Sequence, residues 1–165
     1  MTAPFIVESN FFIQAHRDTY PLDVASSFWG KISQLASNGI IVSIDKVHKE
    51  ICKNKDALSD WFENNLEKVF FKDSEFVVSQ YAAVIQAAEL RIPPYTQRAK
   101  DEFYDRDEAD AWLIAHAIKM NSTIVTHEVG APLKINKVKI PDICAEVGIQ
   151  TVTTIDMFRI LGERF

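Results

Sequence analysis

An α/β domain, folded as a three-layer α/β/α sandwich on a short and mostly parallel central sheet, is what this sequence predicts, and three observations predict it. Short apolar runs recur along the chain: Phe5-Ile6-Val7, Ile40-Ile41-Val42-Ser43, Val69-Phe70-Phe71 and Thr123-Ile124-Val125-Thr126. Segments with helical periodicity separate them, the alternation that yields parallel strands covered by helices on both faces. The stretch from Arg106 to Met120 is a helix apolar nearly all round. Ala109, Leu113, Ala117 and Met120 form one face while Ala111, Trp112, Ala115 and Ile118 cover much of the other, as a helix buried in such a sandwich requires.

Pro4 leads into Phe5-Ile6-Val7, which stops at the polar Glu8-Ser9-Asn10, so the first strand delivers polar groups to its C-terminal end. Phe11-Phe12-Ile13 then begins a helical segment. Asp23 to Asn38 carries Val24, Phe28, Ile32 and Leu35 at helical spacing, and Gly39 follows where a helix stops. The strand Ile40–Ser43 comes at once, followed by a short helix holding Val47, Glu50 and Ile51. Asp56 to Leu66 forms another helix, with Leu58, Trp61, Phe62 and Leu66 turned inward. Val69-Phe70-Phe71 reads as a brief third strand. Ser74 and Val77 open a run through Val78, Tyr81, Ala82, Ile85 and Ala88 that Pro93-Pro94 ends, and Thr96 to Tyr104 is a shorter helix. After the buried helix and the fourth strand, Gly130 to Lys139 reads as a lysine-bearing loop. Pro141 to Val147 is a helix stopped by Gly148, Gln150 to Val152 a fifth strand, and Thr154 to Leu161 the last helix.

A length of 165 residues, 47% of them hydrophobic, suits a single domain over 1–165 with a substantial core. The net charge of −5 argues against holding nucleic acid by bulk electrostatics while leaving room for a local basic strip. Cys52 and Cys144 are far apart and neither belongs to a C-x-x-C pair, so both read as buried reduced thiols and a structural zinc site is not expected. No stretch suits a membrane span or a secretory leader, which makes a cytoplasmic protein with no membrane partner the expectation. The chain lacks a P-loop, a G-x-S-x-G and a G-x-G-x-x-G, and Glu8-Ser9-Asn10 stands where a phosphatase-like enzyme carries Asp-x-Asp.

The chemistry resides in acids. Glu8 closes the first strand, Glu50 lies in the helix after the second, Asp110 opens the buried helix, and Glu128 follows the fourth strand. In a parallel sheet all four converge on one edge, outside the carboxyl ends of the strands where ligands of such sheets bind. Asp110 enters the interior, where an ionised carboxylate requires a donor, a cation or a metal. Like charges so gathered repel unless a cation neutralises them, and an oxygen-only set favours Mg²⁺ or Mn²⁺ over zinc. Each acid also has a plainer reading, as a solvated strand-end residue or as a group favouring a helix N-terminus.

Ile6-Val7-Glu8-Ser9-Asn10, Glu50, Ala109-Asp110-Ala111-Trp112-Leu113-Ile114-Ala115 and Thr126-His127-Glu128 together resemble the signature of PIN-domain proteins over nearly the whole chain. The resemblance extends to Tyr20-Pro21 with Phe28-Trp29 and to Lys139-Ile140-Pro141-Asp142-Ile143-Cys144, which look like those of a bacterial branch of PIN-like proteins. It implies a Mg²⁺- or Mn²⁺-dependent ribonuclease acting on RNA, single-stranded by expectation, and often the toxin of a toxin–antitoxin pair. Glu8, Glu50, Asp110 and Glu128 become its metal ligands, and Asn10 and Thr126 position the acids or a water. An antitoxin protein and a homodimer are the further partners it implies. Glu8 and Glu128 depart from the usual Asp by one methylene each, a displacement to which metal-assisted chemistry is sensitive. The alternative is therefore a catalytically weak or inactive module that binds RNA or a partner protein.

Lys134, Lys137 and Lys139 beyond Glu128, Lys46, Lys49 and Lys53 around Glu50, and Arg17 are candidates for a rim that contacts phosphates without reading sequence. Asp107 reads as a helix-capping or outer acid and Asp142 as a helix-starting one. His116 and His127 read as hydrogen-bonded histidines rather than ligands. Phe11, Phe12, Tyr20, Phe28 and Trp29 are candidates for a dimer or antitoxin contact, most of them expected in the core.

Overall fold

Five parallel strands form one sheet in the computed structural model, which describes residues 2–165. They are β1 (Phe5–Val7), β2 (Ile41–Ile44), β3 (Phe71–Lys72), β4 (Ile124–Val125) and β5 (Thr151–Val152), and across the sheet they run β3-β2-β1-β4-β5. Ile6 stands between Val42 of β2 and Ile124 of β4, while Ser43 pairs with Phe71 and Val125 with Val152. The chain thus winds outward from β1 to β3 and then returns past β1 to β4 and β5. The switch between these two directions lies between β1 and β4, where an open parallel sheet leaves a crevice for a ligand.

The flanking helices complete a three-layer α/β/α sandwich. Among the described residues they are α1 (Ser9–Gln14), α2 (Ser26–Ser37), α3 (Asp45–Cys52), α4 (Ala57–Asn65), α5 (Val78–Leu90), α6 (Gln97–Tyr104), α7 (Ala109–Met120), α8 (Ile140–Val147) and α9 (Thr154–Leu161). Side-chain caps start several of them. Asp56 accepts from the Ser59 amide at 3.0 Å ahead of α4, Thr96 from Ala99 ahead of α6, and Thr153 from Asp156 ahead of α9. Gly148 ends α8 at φ 75°, in the left-handed region that favours glycine, and Asn121 ends α7 there at φ 50°.

The buried helix is present, and its N-terminal half is the better buried. Ala109, Ala111, Leu113, Ile114, Ala115, His116 and Ala117 are buried, but Trp112 is half-buried, stacked on Tyr81 at 3.9 Å between ring centroids with Lys46 over its face. The neutral His116 imidazole lies within 3.4 Å of the Ser74 hydroxyl, and burial pushes its pKa down to about 4.

Several expectations are corrected. The second strand is shifted by one residue, because the Ile40 amide still turns back to the Leu35 carbonyl at 3.0 Å while Ile44 pairs with Lys72. Val69 is 68% exposed, since Lys68–Phe70 winds into a single 3-10 turn and only Phe71–Lys72 pairs as a strand. Val24 is 78% exposed and lies outside α2, because the amides of Val24 and Ala25 both turn back to the Pro21 carbonyl. Phe11, Phe12, Phe28 and Trp29 are buried, as expected of most of the N-terminal aromatics. They form one aromatic core in which Phe12 meets Phe62 at 4.7 Å and Phe28 meets the half-buried Tyr20 at 4.3 Å. Cys144 is buried as expected, whereas Cys52 is only partly covered. No helix of the described residues is long and apolar enough to cross a membrane.

Candidate metal centre

Because β1 and β4 are adjacent and parallel, Glu8 and the Thr126-His127-Glu128 segment leave the sheet side by side at its carboxyl edge. Glu8 is 3% exposed. One of its oxygens, Oε1, accepts from the Thr126 hydroxyl at 2.7 Å and from the His127 amide at 3.1 Å. Thr126 in turn accepts from the Glu128 amide at 3.0 Å, so a single hydroxyl ties the first acid to the backbone carrying the last. The Glu128 carboxylate accepts from the Ile140 amide at 2.8 Å. Glu50, exposed on α3, accepts from the Ser9 hydroxyl at 2.6 Å.

The electrostatics of Asp110 show that these acids share one neighbourhood. Burial in the first turn of α7 pushes its carboxyl up to about 7, and the charges of Glu128, Glu8, Glu50 and Glu108 push the same way. Burial also raises Glu8 to about 7, against the hydrogen bonds from Thr126 and His127 and with the help of Glu128 and Glu50. No hydrogen bond offsets the rise at Asp110. The carboxyl instead opens into a cavity of about 220 Å³ lined by Glu102, Phe103, Glu108, Lys137 and Val138. Without a cation, repulsion and desolvation leave the pair Glu8 and Asp110 partly protonated at neutral pH.

The donors are carboxylates alone, the chemistry of Mg²⁺ and Mn²⁺. Among the described residues no three of their oxygens lie within 4.8 Å of one another, so they form no closed cage. A hydrated ion fits this set, since Mg²⁺ usually keeps several waters and meets one or two carboxylates.

Asn10 is exposed on the wall of a groove shared with His127, Glu128, Lys134, Lys137 and Lys139, and it is the neighbouring Ser9 whose hydroxyl holds an acid. Lys137 borders both this groove and the Asp110 cavity. Lys49 is taken up by Asp107 at 3.1 Å, Lys46 by Trp112, and Arg17 is exposed in the π-helical segment Ala15–Thr19. Asp107 lies outside α7 and caps nothing there, because Glu108 holds the N-cap position. Asp142 sits in the first turn of α8 as expected, and both its oxygens accept from the Ala131 amide, pinning the loop beyond Glu128. His127 meets the Thr154 hydroxyl at 2.9 Å.

Sequence reasoning missed Ser9 and Glu108. Glu108 borders the Asp110 cavity, and burial with the charge of Glu50 raises its own pKa. The signal was present in both cases: a hydroxyl directly after the strand-end acid, and a second acid two positions before Asp110 at the entry to a buried helix. No curated protein and no solved structure matches the chain. Residues 5–165 match the family described as Domain of unknown function (DUF4411), and the chain belongs to that family.

Proposed function

We propose that this protein is a divalent-metal-dependent nuclease that hydrolyses phosphodiester bonds of single-stranded RNA. One observation carries the reading: Glu8 and Asp110, on separate elements at the switch point of the sheet, are both raised to about 7 in the company of Glu128 and Glu50. Such a pocket gathers more negative charge than it neutralises, and a divalent cation is the species that relieves it. The resemblance to PIN-domain proteins adds the reaction and the substrate class.

Glu8, Glu50, Asp110 and Glu128 would hold Mg²⁺ or Mn²⁺, which when bound polarises a phosphodiester and lowers the pKa of water. Binding expels the protons that Glu8 and Asp110 keep at neutral pH. Thr126 and the His127 amide orient Glu8, Ser9 orients Glu50, and the Ile140 amide orients Glu128, so three of the four acids have fixed directions before the ion arrives. Lys134, Lys137 and Lys139 line the groove beside Glu128 and bind backbone phosphates on either side of the reacting one.

A second reading, a module that binds RNA or a partner without turnover, is favoured by the engagement of Glu128 with a backbone amide and by the longer arms of Glu8 and Glu128. Cleavage of single-stranded RNA in Mn²⁺ separates the two when wild type and Asp110→Asn are compared. Loss of cleavage in the variant supports the nuclease. Metal binding with no cleavage by wild type leaves the binding module, and equal cleavage by both proteins removes this pocket from the explanation.

A further inference from the structure

On the other side of α3 from Glu50, His48 and Cys52 stand one helical turn apart, and Glu63 of α4 reaches across to them. His48 Nε2 is 3.5 Å from Cys52 Sγ, Cys52 Sγ is 3.3 Å from Glu63 Oε1, and Glu63 Oε1 is 3.2 Å from His48 Nε2. We propose that this triad is a zinc site, separate from the carboxylate pocket, in which one Zn²⁺ clips α3 to α4.

The distances argue for it. Bonds of about 2.3 Å to sulfur and about 2.0–2.1 Å to nitrogen and oxygen, at tetrahedral angles, place the donor atoms about 3.3–3.6 Å apart. The three separations match the edges of that triangle to within about 0.3 Å. The donor types agree as well, since thiolate, imidazole and carboxylate together suit zinc, whereas Mg²⁺ takes oxygen alone. The scaffold is set before any ion enters. His48 and Cys52 project from one face of α3 at i and i+4, the Phe71 ring packs against the His48 imidazole at 4.7 Å between centroids, and the Asp56–Ser59 capping box starts α4 at the angle that returns Glu63. Asp56 is occupied by Ser59, so it does not complete the set, and the fourth position is left to water on the open side where Glu63 is exposed. Binding releases the Cys52 thiol proton to solvent and takes His48 as the neutral imidazole.

Metal-stripped full-length protein titrated with Zn²⁺, and separately with Co²⁺ as a spectroscopic probe, tests the site. One equivalent should bind, and Co²⁺ should show thiolate charge-transfer absorption with the bands of a four-coordinate ion. Cys52→Ser should abolish the charge-transfer absorption. Cys52→Ser, His48→Gln and Glu63→Gln should each weaken Zn²⁺ by more than about tenfold, the loss that removing even an outer-shell partner brings. Glu63 is exposed, so its variant keeps the fold and the comparison stands if the other two unfold. Asp110→Asn should leave the zinc titration unchanged. The proposal is overturned if wild type with one equivalent of Co²⁺ lacks the charge-transfer absorption, if the triad variants bind Zn²⁺ as wild type does, or if Asp110→Asn removes the zinc.

Discussion

Replacing Asp110 by Asn takes one ionisable group out of the carboxylate pocket at nearly constant shape, and its effect on stability has a definite sign. The carboxyl rises from its ordinary 3.8 to about 7 on folding. At about 1.4 kcal/mol per pH unit, that rise corresponds to about 4 kcal/mol. An acid whose pKa is higher folded than unfolded holds its proton more tightly in the folded state. The stability it adds is fully present below pH 3.8 and is lost as the pH climbs through about 7. Glu8 behaves alike, from 4.5 to about 7, and because the two acids raise one another their contributions do not simply add. Removing the Asp110 charge also relieves Glu8, which works in the same direction. In urea denaturation with chelator present, wild type should therefore lose about 2–4 kcal/mol more than Asp110→Asn between pH 4 and pH 8. At pH 8, Mn²⁺ at a hundred times its dissociation constant should return about 2.7 kcal/mol to wild type, and less to the variant at the same concentration. Parallel pH profiles for the two proteins would refute the reasoning, because they would mean that Asp110 ionises as freely in the folded chain as in the unfolded one.

Thr126→Val deletes the donor to Glu8 and the acceptor of the Glu128 amide while conserving volume. A hydrogen bond to a charged group contributes about 1.5–3 kcal/mol, so Mn²⁺ binding at pH 7 should weaken ten- to a hundredfold by isothermal titration, with Thr126→Ser restoring it. Changing Lys134, Lys137 and Lys139 together to Ala should flatten the slope of log affinity for single-stranded RNA against log salt by about 2, three phosphate contacts at about 0.7 each. A wild-type affinity that does not change with salt rules that groove out as the path of the RNA.

How far the sequence could be read depended on how local each cause was. Strand–helix alternation and the buried helix follow from periodicity within a few residues, and they suffice to bring Glu8 and Glu128 to one edge of the sheet, because parallel pairing of β1 with β4 aligns their carboxyl ends, with Asp110 at the opening of α7 feeling the charge of both. Boundaries were harder wherever an apolar run lacked alternation. Val69-Phe70-Phe71 carries no mark to show that the first two residues turn and only Phe71 pairs with β2, and Val24 keeps helical spacing although the Pro21 turn holds it outside α2. The aromatic residues near the N-terminus lie mostly in the core, as their number and size suggest, but nothing local announces that Phe62 and Phe70, far along the chain, are what close over Phe12.

The two faces of α3 make the point sharply, one carrying Glu50 and the other His48 and Cys52. Glu50 was legible because it follows a strand, and strand ends define the edge of the sheet. Two of the three residues in the other cluster were legible too, since His48 and Cys52 stand at the i, i+4 spacing that puts two side chains on one helix face. That spacing is the zinc-type signal in a chain that has no C-x-x-C pair. The third donor depends on the return of α4, made by a left-handed Lys55 at φ 49° and the Asp56 cap. Lys55 has no glycine or asparagine character to advertise such a turn, so Glu63 comes within 3.3 Å of Cys52 through a backbone conformation that its residue type disfavours. An ion bridging α3 and α4 would add one more restraint across that turn, beside the Asp56 cap. Lys55 is already left-handed, and the Asp56–Ser59 capping box fixes the start of α4, so the turn is made by the chain itself and an ion would bind across a gap that is already closed.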